Sequence, residues 1–251
     1  MRKREKSEKG EKRINFLLIL IILILLAALG VVAYKGFTVK QVQVEGTDLY
    51  PDETIRQWVL NDDYSWNTLY VFLKYKFKDA EEMPFLQQPE GRIKGPHSLS
   101  IKVREKKIAG YLYVPAMGQN AYFNKDGVVV ETSSRKLEGM MEVTGLECSK
   151  VSVGEKIPVK KKSLLKAMLS LTQGLSKYKM MPQTIHCDEY SNIMLEYEKV
   201  TVNMGNSQNL SAKMETLSVI FPQLKDMSGT LHMENWSEEN TDVPFEKSNG
   251  S

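Results

Sequence analysis

The side chains that could support covalent chemistry in this sequence are two cysteines and three histidines. The run Thr184-Ile185-His186-Cys187 places one cysteine directly beside one histidine. A cysteine thiolate, a histidine base and an arginine that stabilises an oxyanion could together transfer an acyl group. The last arginine of the chain is Arg135, however, so none follows this cysteine. His97 and His232 fall on distant segments, and the sequence contains no serine-hydrolase, zinc-protease or phosphate-loop motif.

That run resembles the Thr-Leu-x-Thr-Cys strand of sortase transpeptidases, although it is one residue shorter. Sortases carry an arginine after the cysteine, so a sortase-like enzyme is only a remote alternative. Cys148 and Cys187 do not lie in a Cys-x-x-Cys or Cys–His pattern typical of metal sites. We therefore expect a non-enzymatic protein with no cofactor or metal. Two unpaired cysteines are favoured over a disulfide, which an extracellular location would permit.

A long uncharged segment near the N-terminus predicts how the chain meets a membrane. Residues 1–13 carry seven basic and three acidic side chains, and no further charge occurs until Lys35. The segment Ile14–Tyr34 is almost entirely apolar and would span about 30 Å as a helix, the thickness of a bilayer core. The basic excess before it predicts a cytoplasmic N-terminus and an extracellular remainder. A cleaved signal peptide is the alternative, but the apolar run is too long and lacks a small-residue cleavage site.

The basic charge is confined to this N-terminal tail. The whole chain has a formal net charge of +3, and the part after the apolar segment is slightly acidic. A nucleic-acid-binding role for the folded part therefore has no support, and no small-molecule substrate is predicted.

Residues 35–107 show the pattern of a small α/β module. Alternating apolar and polar residues indicate its first and last strands, whereas Pro89 weakens the strand between them. Its predicted elements are a strand, two helices and two strands, at Thr38–Glu45, from Pro51, at Thr68–Lys78, at Gln87–Lys94 and at Leu99–Arg104. The second helix is predicted to carry an apolar side formed by Leu69, Phe72, Leu73 and Phe77.

Residues 108–245 predict a mostly antiparallel sheet with helices packed on one face, an α+β arrangement. Two helices with apolar faces are predicted, at Ser163–Tyr178 and about Leu210–Leu224. The predicted strands are Ile108–Val114, Ala121–Phe123, Val128–Val130, Gln183–Cys187, Ile193–Tyr197, Val200–Met204 and Thr230–Met233. The tail Glu246–Ser251 has no periodicity and is predicted to be disordered.

In this order the segments resemble the FtsQ/DivIB family of bacterial cell-division proteins over residues 1 to about 245. A basic tail and one anchor precede the run Phe37–Gly46. Pro96–Glu105 resembles the closing motif of the family's POTRA domain, usually Pro-Asn-Thr-Leu-x-Ile-x-Val-x-Glu-Arg. Tyr122–Val129 resembles the hairpin that opens its β domain. Lys213 and Gly229–Glu234 match its lysine-containing helix and closing strand, but His232 and Glu234 replace the usual acidic and basic residues, so an ion pair is expected to be lost there.

The resemblance implies a fold, a location and a function. It implies a single-pass type II membrane protein at the division septum, with the regions 1–13 cytoplasmic tail, 14–34 transmembrane helix, 35–107 POTRA domain, 108–245 β domain and 246–251 disordered tail. Such proteins scaffold FtsL-like and DivIC/FtsB-like partners and help regulate septal peptidoglycan synthesis. Partners add a strand to an edge of the β domain in relatives, which is a general mode of recognition. The resemblance thereby implies a partner site at Thr230, Leu231, His232, Met233, Asn235, Trp236, Val243 and Phe245.

Two points stay open at the level of sequence. Trp236 and Phe245 are either aromatic anchors for a partner or a cover for the end of the sheet. A POTRA-containing envelope chaperone or secretion component is the alternative function, although such proteins usually repeat the POTRA module or add a membrane barrel.

Overall fold

The fold is described from a computed structural model, for residues 2–224 and 226–248. The chain divides into two compact units, and the division falls between Glu105 and Lys106. Each unit has a hydrophobic core of its own.

The first unit begins with one long helix, α1 (Arg2–Gly36). Its stretch Asn15–Gly36 has a mean hydropathy of 3.4 and is long and apolar enough to cross a membrane. The large apolar side chains from Phe16 to Val32 are exposed, which is the pattern of a helix whose surroundings are lipid. Helical structure also extends back through residues 2–13 of the predicted charged tail.

Beyond α1, the first unit consists of a three-stranded sheet and two helices. Their bounds are β1 (Gln41–Glu45), α2 (Asp52–Val59), α3 (Thr68–Phe77), β2 (Glu90–Gly95) and β3 (Ser98–Lys102). The strand order is β1-β3-β2, with β1 parallel and β2 antiparallel to β3. The element order β-α-α-β-β is the predicted one. The weak strand candidate begins only after Pro89, whose ring nitrogen cannot donate to a sheet.

The rotation of α3 differs from the prediction. Thr68 and Val71 are its buried residues, whereas Leu73 is 42% and Phe77 78% exposed. The Thr68 hydroxyl donates a hydrogen bond of 3.0 Å to the Pro96 carbonyl, which holds this side of the helix against the sheet. The buried side is therefore not the predicted one, formed by Leu69, Phe72, Leu73 and Phe77.

The described residues of the second unit, 106–224 and 226–248, form nine strands and two helices. Its strands are β4 (Gly110–Val114), β5 (Gln119–Phe123), β6 (Val129–Ser133), β7 (Glu142–Thr144), β8 (Thr184–Cys187), β9 (Ile193–Glu196), β10 (Val200–Gly205), β11 (Gly229–His232) and β12 (Phe245–Lys247). Its helices are α4 (Lys162–Lys177) and α5 (Leu210–Ile220), the latter extended by a 3₁₀ turn at Phe221–Leu224.

All nine strands form one sheet in the order β12-β11-β10-β9-β8-β7-β4-β5-β6. Three neighbouring pairs are parallel, β10 with β11, β4 with β7 and β7 with β8, and the others are antiparallel. Helices α4 and α5 contact each other and share one core with the sheet. The protein thus has mixed α and β content with a large sheet.

Two strands of this sheet were not predicted. β7 is only three residues long, and its neighbours on both sides are parallel to it, so alternation in its own sequence is too short to detect. β12 begins at Phe245, the last residue of the predicted β domain, and continues into the tail that was predicted to be disordered. The structure contradicts that prediction for residues 246–248, which bond to β11 and to Ser228 just before it. The remaining tail residues, 249–251, lie outside the described part of the chain.

Candidate partner interface

The open end of the large sheet is formed by β12 and not by β11. β11 pairs with β10 on one side and with β12 on the other. The predicted site residues Thr230–Met233 therefore belong to an interior strand and the residue that follows it. A partner strand could reach the sheet at this end only along β12.

The backbone hydrogen bonds of β12 show which of its N–H and C=O groups point away from β11. The Ser248 N–H donates to Ser228 O at 2.9 Å, and the His232 N–H donates to Pro244 O at 2.9 Å. Residues 244, 246 and 248 therefore bond toward β11. Since successive residues of a strand point their amides in opposite directions, the N–H and C=O groups of Phe245 and Lys247 point away from β11. Within the described part of the chain no strand pairs with β12 on this side, so these two residues form an open strand edge.

A glycine allows β12 to lie this close to β11. Gly229 has φ +153°, and a Cβ added there would clash with the carbonyl oxygen of Glu246. The hydroxyls of Ser228 and Ser248, 2.8 Å apart, hold the same end of the pair. The edge thus depends on a residue without a side chain.

A histidine between two glutamates joins β11 to β12 through side chains. His232 Nδ1 lies 2.9 Å from Glu234 Oε1, and its Nε2 lies 3.4 Å from Glu246 Oε2. The hydrogen bond to Glu234 raises the pKa of His232, desolvation opposes the rise, and Glu246 adds to it. When His232 is protonated, it forms ion pairs with both carboxylates, so a pair of a different composition is available at this strand.

The aromatic residues of the predicted site mostly cover the sheet end. Trp236 is 8% exposed and belongs to the hydrophobic core, and its Nε1 atom has no hydrogen-bond partner among the described residues. Val243 and Phe245 are half-buried and pack against the same core. Asn235 is exposed. Of the two aromatic residues, only Phe245 combines partial exposure with a place on the open edge.

Lys213 of α5 supports this region from inside. It is 2% exposed, and its Nζ atom donates to Met204 O at 2.7 Å and to Glu234 O at 3.5 Å. Desolvation lowers the pKa of Lys213, which the charge of Glu234 partly offsets. Lys213 thereby links α5 to the end of β10 and to the segment that follows β11. Sequence reasoning matched Lys213 to a family motif but could not predict that it is buried.

The opposite edge of the sheet, at β6, is partly occupied by the chain itself. Val129 of β6 donates to Glu155 O and accepts from the Gly154 N–H, each at 2.8 Å. Val128 and Lys156 form a further antiparallel bridge beside it. The start of β6 is therefore covered, which leaves β12 as the more open end.

The cysteine–histidine run of β8 does not assemble a nucleophile with its base. Cys187 is 1% exposed, and burial, with a smaller contribution from Asp188, raises the pKa of its thiol to about 11. Adjacent strand residues point to opposite faces, so His186 lies on the other side of the sheet, where its Nδ1 atom is 2.8 Å from the Thr144 hydroxyl. Cys148 and Cys187 are both free thiols, as predicted.

A second polar cluster, which the sequence did not reveal, lies at an open cavity of about 1070 Å³ in the second unit. Tyr111 donates to Glu142 at 2.7 Å, and Lys136 lies 3.0 Å from the same carboxylate. Although burial opposes it, these two contacts hold the pKa of Glu142 below its usual value. The charges neutralise one another within the chain, which is the arrangement of a structural cluster.

No protein-family model matches the sequence. No curated protein matches it significantly.

Proposed function

We propose that this chain is a non-enzymatic scaffold of the bacterial division machinery, of the FtsQ/DivIB kind. In this proposal its second unit holds FtsL-like and DivIC/FtsB-like partners and thereby helps regulate septal peptidoglycan synthesis. The observation that carries the proposal is the unpaired edge of β12, where the amides of Phe245 and Lys247 point outward beside a half-buried aromatic ring.

The mechanism proposed is strand addition to β12. The outward N–H and C=O groups of Phe245 and Lys247 would bond to a partner strand, which supplies affinity without regard to sequence. Specificity would come from side chains that cover Phe245 and Val243 and approach the exposed charges of Glu246 and Lys247. Because β12 is only three residues long, a partner that extends beyond it would gain most from contacts with neighbouring side chains.

The first unit fits the same proposal. Its β-α-α-β-β order and its β1-β3-β2 sheet are compatible with a POTRA domain. The apolar helix α1 would be the type II anchor, with the N-terminus in the cytoplasm and both folded units outside, at the septum.

The binding site is tested with single substitutions in β12. Phe245→Ala should weaken binding of purified partner ectodomains about tenfold, since a half-buried ring at a strand edge is a typical anchor. Lys247→Pro removes an outward N–H while leaving the bonds of residues 246 and 248 to β11, so a similar loss is expected with little change in melting temperature. Lys247→Gln keeps that N–H and is the matched control. Unchanged affinity in both Phe245→Ala and Lys247→Pro would rule out the β12 site.

The cellular role is tested by imaging an N-terminal fluorescent fusion in dividing cells. A band at midcell that persists through constriction is expected. Uniform labelling of the cell envelope would contradict the division role and favour the alternative, a POTRA-containing envelope chaperone or secretion component.

A further inference from the structure

A cluster of aromatic and apolar side chains lies where α1 ends. We call it the juxtamembrane face and define it as Tyr34, Tyr64, Trp66, Leu69 and Leu73, which line a shallow, almost wholly apolar cavity of about 310 Å³. Tyr34 is 61%, Tyr64 64%, Trp66 37% and Leu73 42% exposed. Among the described residues of the first unit beyond α1, the exposed large hydrophobic side chains all fall within the segment from Tyr64 to Phe77.

Direct contacts hold this face at the end of the apolar helix. The side-chain amide of Asn67 donates to Ala33 O at 2.9 Å and to Tyr34 O at 3.2 Å. These carbonyls belong to the last turn of α1, which has no further helical N–H to bond them. The rings of Tyr34 and Trp66 meet edge to face with centroids 4.9 Å apart, and the Thr68 N–H donates to Phe37 O at 3.0 Å.

The loop that carries Tyr64 and Trp66 is fixed from within by Asp62. Its carboxylate accepts hydrogen bonds from the Tyr64 N–H, the Ser65 hydroxyl and the Tyr70 hydroxyl, and pairs with Lys74 at 2.7 Å. Burial would raise the pKa of Asp62, but these donors outweigh it and hold that pKa well below its usual value. The exposed rings are thus presented by a loop that these hydrogen bonds hold in place.

The position of α1 indicates what covers these rings. The 22 residues Asn15–Gly36 span about 33 Å as a helix, so the last turn of the proposed anchor would lie at the boundary between hydrocarbon and headgroups. Tyrosine and tryptophan are enriched at this level because their rings are apolar and their polar atoms remain in contact with water. Lys74 of α3 pairs with Asp62 at 2.7 Å, so its charge contributes little to attraction for anionic lipid.

We propose that the juxtamembrane face is a lipid-binding surface, seated in the interfacial region of the bilayer that α1 crosses. The inference rests on the proposed anchor and goes beyond the division role. It assigns a membrane-bound orientation to the first unit. Bilayer lipid is the chosen occupant because the face is continuous with the end of the apolar helix.

The test uses tryptophan emission of the full chain reconstituted in phosphatidylcholine vesicles, with and without brominated acyl chains. In the double variant Trp58→Phe, Trp236→Phe, Trp66 is the remaining tryptophan. Its emission maximum should lie at a shorter wavelength than in the denatured chain. Brominated lipid should quench this emission. Tyr64→Trp, in a chain in which all three native tryptophans are Phe, should behave in the same way and serves as the second reporter.

The matched control is Asp48→Trp in the same tryptophan-free chain. Asp48 is exposed and lies beyond the far end of β1, whose near end adjoins α1. Five residues of strand span about 17 Å, so this reporter should not be quenched.

The outcomes separate this inference from the proposals on which it depends. Quenching of both reporters but not of the control supports the lipid-binding face. Absence of quenching at Trp66 and Tyr64→Trp in chain that resists carbonate extraction overturns it and leaves the anchor intact. Chain that carbonate extracts overturns both the anchor and the face. Partner binding by β12 is measured separately and can succeed or fail without affecting this result.

Discussion

The loop that presents Trp66 and the terminal strands around His232 are both held by a small polar cluster, but the chemistry of the two clusters is opposite. In the loop, the Asp62 carboxylate gathers four donors. At the sheet end, the His232 imidazole lies between two carboxylates. A carboxylate with a lowered pKa stays charged throughout the physiological range, whereas an imidazole changes charge near neutral pH. The polar contacts of Asp62 therefore keep their strength across the physiological pH range, whereas those of His232 weaken as pH rises.

The tryptophans of the two regions also differ in how far they are exposed. Trp66 is 37% exposed beside the end of α1, whereas Trp236 is 8% exposed inside the core of the second unit. Both follow short polar segments, so sequence gives similar signals for each. The difference teaches that an aromatic residue near the end of an element can be identified as a surface residue or a core residue only from its packing in the structure.

The largest expected effect is on the backbone of the terminal strands. Gly229→Ala should detach β12, because the new Cβ would clash with the Glu246 carbonyl oxygen. We expect a loss of about 2–3 kcal/mol in unfolding free energy and a loss of partner binding of at least about tenfold. Denaturant melts and binding titrations measure the two effects.

Gly118→Ala is the control for that substitution. Gly118 also has a positive φ, +64°, but a Cβ there meets no atom within 4 Å. Its cost should stay near about 1 kcal/mol, with partner binding unchanged. Equal effects at the two glycines would show that close approach of β12 does not matter.

The second-largest effect is expected when the buried lysine that contacts these strands, Lys213, is replaced. Lys213→Met should destabilise the second unit by about 2 kcal/mol, because the carbonyls of Met204 and Glu234 lose their donor in a buried site. Lys166→Met, on the exposed side of α4, is the control and should be nearly neutral. Thermal melts compare the two, and equal melting temperatures would contradict the supporting role of Lys213.

A smaller effect is expected in the loop of the first unit. Asp62→Asn should cost about 1–2 kcal/mol at neutral pH, since an amide keeps some of the hydrogen bonds but loses the charge that pairs with Lys74. Because the pKa of Asp62 is lowered by folding, its contribution is complete above about pH 4 and falls as pH drops through the folded pKa. The difference between variant and wild type should therefore shrink in strong acid. Asp63→Asn, at the neighbouring exposed carboxylate, should have little effect at any pH.

The smallest effect should distinguish the two clusters by pH. The pKa of His232 is raised by folding, so its contribution is complete below about pH 6.5 and is lost as pH rises through the folded pKa. We expect amides of β12 and β11 to be more protected from hydrogen exchange at pH 6 than at pH 8, after correction for intrinsic rates, by less than about 1 kcal/mol. The titratable groups that face the ring are Glu234 and Glu246, and the Lys213 ammonium lies 3.5 Å from the backbone carbonyl of Glu234.

His232→Gln should abolish this pH difference. His97→Gln, in the first unit, should leave it in place. Protection of β12 that does not change with pH in the wild type would mean that backbone contacts alone hold the strand.

Local patterns predicted the regular elements well where one face of an element is buried. The alternation of β1 and of β3, the helix start after Pro51 and the apolar face of α4 all appear in the structure at or near the predicted bounds. The two free cysteines were also predicted. These features follow from periodicity over a few residues, which a sequence displays directly.

The candidate site was less predictable because its elements depend on distant partners. β12 has a sequence of only three residues, without a strand pattern of its own, and it lies where a Cβ at Gly229 would clash with the Glu246 carbonyl oxygen. The buried side of α3 was predicted wrongly because apolar residues occur on more than one side of this helix. The hydrogen bond from the Thr68 hydroxyl to the Pro96 carbonyl holds the Thr68 side against the sheet. The contact of His232 with Glu246 joins residues on two strands, and nothing local indicates it.

By itself, the sequence determined the long apolar helix, the β-α-α-β-β order that follows it and the alternating strands of the second unit, because hydrophobic periodicity is a local property. The tertiary structure decided which strand forms the open edge, which tryptophan is buried and which carboxylates surround His232. These outcomes depend on how segments far apart in the chain fill one core and satisfy one another's polar groups. Which residues remain on the surface is therefore known only when the packing of the core is known.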